Sequence, residues 1–131
     1  AGRRQVGNEA ALTPALRELG FEIVTTATMS YDDKVRLFAE TALCVGPHGA
    51  GLTHMGFMAP GTTVVELLRP GHSWMTRGFL PRMAAMLDLR YGVFCFPAEP
   101  DDPTDRLWVD PDLLIPALSE LIAEQQAATP V

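Results

Sequence analysis

No stretch of this chain holds the ~18 consecutive apolar residues of a membrane-spanning helix, so a span within these residues is excluded. No basic start followed by an apolar run is present either, and nothing reads as a secretory leader. Cysteine is scarce: Cys44 and Cys95, each inside a short apolar run, are the only two. Two thiols make no disulfide framework, and neither has a second ligand at zinc spacing. Buried small thiols in a reducing, cytoplasmic compartment are expected, and no metal site. Positive charge is also short, with 10 Lys and Arg against 16 Asp and Glu. Residues 1–65 carry five basic and six acidic groups, residues 66–131 five and ten. Acidic groups such as Glu99, Asp101, Asp102 and Asp105 would repel a polyanion, which argues against general nucleic-acid binding; such a run is ordinarily a solvated surface.

What is present is the composition of one globular domain, 47% apolar and 20% charged over 131 residues. Four runs read as strands: Phe21–Thr26, Ala42–Gly46, Thr62–Leu68 and Tyr91–Phe96. The middle two are nearly continuously apolar, as expected of strands covered on both faces. Helical patterns alternate with them. Leu12, Leu16 and Leu19 mark one, stopped by Gly20; Ser30 caps another, with Asp33 three residues on and Val35, Phe38, Ala39 and Ala42 facing inward. Leu80, Met83, Ala84 and Leu87 mark a third. Leu114, Leu118, Leu121 and Ile122 mark the last, which follows Asp110-Pro111. The alternation implies an α/β, Rossmann-like parallel sheet flanked by helices. Pro14 and Pro116 interrupt two of the helical patterns, so those helices either start later, at Thr13 and Ile115, or bend.

The sharpest local feature is Gly46-Pro47-His48-Gly49-Ala50-Gly51-Leu52-Thr53, between an apolar strand and a helix start. Free N–H groups and a positive helix end meet at such a turn, and glycines let a phosphate approach the backbone. The plainer alternative is a chain reversal that needs positive φ. The spacing is not that of a dinucleotide turn, because His54 stands where the third glycine would be, and no Gly-Lys-Ser/Thr follows.

The ordered set Asn8-Glu9, Gly20-Phe21-Glu22-Ile23-Val24, Val35-Arg36-Leu37-Phe38-Ala39, Gly46-Pro47-His48-Gly49-Ala50-Gly51-Leu52-Thr53 and Pro60-Gly61-Thr62-Thr63-Val64-Val65-Glu66-Leu67 resembles the glycosyltransferase family 61 domain. That family includes capsule-polysaccharide enzymes and protein O-linked N-acetylglucosaminyltransferases. The chain departs from the pattern at Gly7, Lys34 and His54. The resemblance implies a GT-B architecture, with this chain as the C-terminal, donor-binding half, lacking its first strand and the N-terminal acceptor-side half. It implies an inverting, metal-independent transferase that moves a sugar from a nucleotide-sugar donor to a hydroxyl of a glycan, capsule polysaccharide or protein. No other cofactor is implied, and the isolated chain is expected to be inactive. Membrane association would come only through segments outside this chain. A non-catalytic nucleotide-sugar-binding or scaffolding module of the same fold is the alternative.

On this reading His48 donates to the diphosphate or the leaving oxygen, its alternative being to cap the strand end. Gly49, Ala50, Gly51, Leu52 and Thr53 offer backbone N–H groups, and Thr53 its hydroxyl. Arg4, with Arg3, neutralises phosphate charge. Glu66, a lone carboxylate in a strand, binds ribose hydroxyls or else forms a buried ion pair with an arginine. His72, Ser73 and Trp74 fall in a loop at a strand end, where Trp74 either stacks on a base or sugar or packs on the next helix.

Overall fold

The computed structural model describes residues 6–69, 74–97 and 106–128. Helix α1 spans Glu9–Glu18 and ends as its sequence dictates. Gly20, at φ +95°, donates to Arg17 O, and Phe21 N donates to Leu16 O, so two otherwise orphaned carbonyls are satisfied. Helix α2 (Tyr31–Ala39) starts at Ser30, whose hydroxyl accepts from Asp33 N at 3.2 Å. Its inward residues are Phe38, fully buried, with Val35 and Leu37 half-buried; Ala39 and Ala42 are exposed, contrary to the expected face. Strand β1 (Leu43–Pro47), a 3-10 helix (Ala50–Phe57), strand β2 (Thr63–Leu68), helix α3 (Trp74–Met86), strand β3 (Arg90–Cys95) and helix α4 (Pro111–Ala128) follow. Pro14 and Pro116 lie inside α1 and α4, which neither start late nor break. Each proline is the sixth residue of its helix. The carbonyl it leaves without a donor belongs to Ala10 or Asp112, exposed residues of the first turn that water reaches.

The three strands form one parallel sheet in the order β1-β2-β3. Central β2 is buried at all six positions, matching its unbroken apolar run. Its Val65 and Leu67 face one layer, where Leu12 of α1, Leu114 and Leu118 of α4, Phe96, Leu107 and Val109 pack. Val64 faces the other layer with Phe38, Leu52, Met55, Met58, Leu80, Ala84 and Leu89. Cys44 is half-buried against this second layer, where burial pushes its thiol up to about 11, whereas Cys95 is exposed, contrary to the expectation of two buried thiols. No helix among the described residues is long and apolar enough to cross a membrane.

One expected strand does not form. Phe21–Thr25 pairs with no described strand and runs into a short 3-10 turn, Thr26–Thr28, leaving Ile23 and Val24 exposed. Composition suits a strand, but a strand needs a neighbour for its backbone groups. Between this segment and the free edge of β1 lies a cavity of about 760 Å³, with Phe21 and Val24 on one side and Leu43 and Val45 on the other.

Candidate functional site

The carboxyl ends of parallel strands are where α/β sheets place their ligands. At that end of β1 the chain passes through Pro47 and His48 into Gly49, which is fully extended at φ 167° and ψ 174°. The turn therefore needs no left-handed backbone; among the described glycines only Gly20 and Gly61, at φ +95° and +84°, lie in that region. Gly46 has another role. A Cβ there would stand 3.1 Å from Leu52 Cδ2, so its absence lets the 3-10 helix pack onto β1. Gly51 is exposed, and among the described residues a Cβ there would meet nothing nearer than Thr26 Oγ1 at 3.7 Å.

The helix that follows is 3-10 rather than α, and this decides which amides it spends. Leu52 N already donates to Gly49 O at 3.1 Å. In a ladder of i to i−3 bonds the first three N–H groups have no partner inside the helix, and these are Gly49, Ala50 and Gly51. Of the five expected amide donors, Leu52 and Thr53 are thus committed to the ladder. His48 N is also spent, on Leu67 O at 2.9 Å, which fastens the strand tip to β2.

His48 and Glu66 are both buried, at 8% and 0% exposure, and bonded to each other through His48 Nδ1 and Glu66 Oε2. The second carboxylate oxygen, Oε1, accepts from the hydroxyl of Tyr91 on β3. The register explains the meeting: Gly46 of β1 pairs with Glu66 of β2, and His48 comes two residues later on the same face. The partners of Glu66 are therefore a histidine and a tyrosine, not an arginine, and its carboxylate has no solvent-facing surface from which to touch a ribose. Burial, together with the neighbouring Glu66, pushes the Tyr91 phenol well above its ordinary value and keeps it a neutral donor.

His54 is not part of this cluster. Its Nδ1 meets Gly51 O at 2.7 Å, and its ring packs on Phe38 with centroids 5.4 Å apart. Arg4, His72 and Ser73 lie outside the described residues, as does the Trp74 side chain. Among the described residues, no three His, Cys, Asp or Glu side chains converge as metal ligands would. Nothing in the sequence singles out Tyr91, because its contact depends on strand register. Asn8 is another such residue: its amide donates to Val109 O at 2.6 Å and accepts from Val109 N at 3.0 Å, joining α1 to the segment before α4. The 760 Å³ cavity touches none of the residues at the β1 tip.

Comparison with known proteins agrees with the resemblance. Residues 1–65 match the family model Glycosyltransferase 61. The chain is 28% identical over 120 residues to the xylan glycosyltransferase MUCI21 of Arabidopsis thaliana, covering 85% of this chain and 24% of that protein. It is 31% identical over 93 residues to the alpha-1,3-arabinosyltransferase XAT3 of Oryza sativa subsp. japonica, covering 68% and 16%. It is 38% identical over 55 residues to the beta-1,2-xylosyltransferase of Arabidopsis thaliana, covering 40% and 10%. The chain thus spans a quarter or less of the length of each relative. Family model and relatives together support a likeness to glycosyltransferase family 61, with residues 1–65 matching the family model.

Proposed function

We propose that this chain is the donor-binding half of an inverting family 61 glycosyltransferase of GT-B architecture. It would hold the diphosphate of a nucleotide sugar at the β1 tip. The observation that carries this reading is the grouping of His48 with the Gly49, Ala50 and Gly51 amides at the carboxyl end of a parallel strand. Oriented N–H groups and a ring nitrogen at one point suit an anion whose charge grows as the sugar departs. In the reaction an acceptor hydroxyl attacks the anomeric carbon and gives up its proton to a base on the other half. The bond from that carbon to the phosphate oxygen breaks, with its electron pair leaving on the diphosphate.

This chain's own contribution would be to bind the donor, orient it and stabilise the leaving group. Arg4 would add charge neutralisation, and the Thr53 hydroxyl a further donor. Neither a metal nor a cofactor beyond the nucleotide sugar is invoked. In the complete enzyme a further parallel strand would lie between Phe21–Thr25 and β1. Two of the relatives are named for transferring xylose or arabinose, so pentose donors head the set to be tried.

The test is calorimetric titration of the intact protein with nucleoside diphosphates and their pentose and hexose sugars, in parallel with turnover. His48→Ala and Gly51→Val should each weaken donor binding at least about tenfold, the loss of one charge-assisted contact or of close backbone approach. Gly51→Val suits the purpose because, among the described residues, a Cβ there meets nothing nearer than Thr26 Oγ1 at 3.7 Å, so the change is aimed at the ligand rather than at the fold. Full affinity and turnover in both variants would remove the diphosphate site.

A further inference from the structure

We infer that His54 determines specificity for the donor: its Nε2 is an acceptor one helical turn from the Gly49, Ala50 and Gly51 amides, and it takes a hydrogen bond from a hydroxyl of the nucleotide sugar. The inference rests on the donor-site reading of the β1 tip and extends it from the diphosphate to the ligand's uncharged part.

The 3-10 helix puts the ring there. With three residues per turn, Gly51, His54 and Phe57 eclipse one another in a single row, so His54 follows Gly51 by about 6 Å along the axis. Its Nδ1 meets Gly51 O at 2.7 Å, which means that the ring reaches back toward the first turn. Phe38 and Phe57 hold it in that pose, with ring centroids 5.4 and 6.4 Å away. A carbonyl oxygen can only accept, so the hydrogen is on Nδ1 and the uncharged ring keeps a lone pair at Nε2. Among the described residues the bond to Gly51 O is the ring's only hydrogen bond. A lone pair repels phosphate oxygens but matches a hydroxyl. The two parts of a nucleotide sugar are thereby sorted: backbone N–H groups for the phosphates, an imidazole acceptor for a hydroxyl of the ribose or of the transferred sugar. Glu66, sealed behind His48, leaves that second role unfilled.

Calorimetric titration of the intact protein tests this, with uridine and guanosine diphosphates, their dideoxy forms, UDP-xylose and GDP-mannose as probes. His54→Phe keeps the ring stack and removes both nitrogens, and it should weaken donor binding about five- to tenfold, the scale of one neutral hydrogen bond. Equal losses for nucleoside diphosphate and nucleotide sugar put the hydroxyl on the ribose, and the dideoxy forms should then bind wild type and variant alike. A loss confined to the nucleotide sugars puts it on the transferred sugar. Long-range proton–nitrogen NMR of the wild type, at mildly alkaline pH, needs no variant to fold. The ligand-free protein should show the Nδ1–H form of His54, and the Nε2 signal should move upfield as a probe hydroxyl bonds it. An Nε2–H form, an Nε2 signal unmoved at saturation, or wild-type affinity for every probe in His54→Phe overturns the inference alone. A wild type that binds none of the probes sinks the donor reading and this inference with it.

Discussion

Tyr91 shows how a single side chain can couple the site to the stability of the sheet. Its phenol is partly buried and sits against the Glu66 carboxylate, so ionising it would leave a charge poorly solvated and place two negative groups in contact. Its titration point is therefore raised in the folded chain above the ordinary value of about 10 that it regains on unfolding. The sign follows: below pH 10 the phenol is neutral in both states, while above it the unfolded chain loses the proton first. Stability should fall as pH rises beyond about 10, and in Tyr91→Phe that alkaline decline should be shallower. Urea denaturation at a series of pH values from 8 to about 11 measures it, and parallel curves for the two proteins would mean that Tyr91 does not bond Glu66 in solution. Little of this was legible beforehand. The position of Glu66 in an apolar strand shows that a buried charge needs a partner, but His48 is eighteen residues away and Tyr91 twenty-five, and only the register brings them together.

At the scale of elements, the strands and helices that could be read are those whose signals are local. The apolar run of β2, the Ser30 cap of α2 and the Gly20 stop of α1 all stand where composition and capping chemistry put them. The misjudged features depend on something outside their own residues. Phe21–Thr25 has strand composition but no described neighbour, and the helix after Gly49 is 3-10, its Leu52 seated against the bare backbone of Gly46. Asn8 is the clearest case of long-range dependence. Its side-chain amide makes the pair of bonds to Val109 that a strand backbone would make, next to the bridge of Val6 with Leu107. It is buried, so truncation strands both the N–H and the C=O of Val109. Asn8→Ala should cost about 2–4 kcal/mol, the penalty of two buried backbone groups losing their partners. The denaturation midpoint should move with an unchanged slope, and a shift below about 1 kcal/mol would show that water replaces the amide there.

For the whole molecule, the exposed side of β1 decides how the chain behaves in solution. In a parallel pair, alternate residues turn their backbone groups toward opposite neighbours. Ala42 O and His48 N bond to β2, so the even-numbered residues face that strand, and the N–H and C=O groups of Leu43 and Val45 face away from it. They open onto the 760 Å³ cavity, across which Val24 is 41% exposed. No strand among the described residues pairs with this edge, and such an edge beside an apolar wall is a template for another extended segment. Chains of this length should therefore self-associate at about 10–100 micromolar and unfold with poor cooperativity, because the outer part of the sheet is held from one side only. Val24→Lys places a charge at the cavity mouth without touching either core layer, and it should shift sedimentation profiles toward monomer while leaving the far-UV spectrum unchanged. A protein that stays monomeric across that range and melts in one steep transition would show that the β1 edge is satisfied within the chain. The further strand proposed beside β1 would then lose its physical basis, while the proposed His48 site at the carboxyl end of β1 would be untouched.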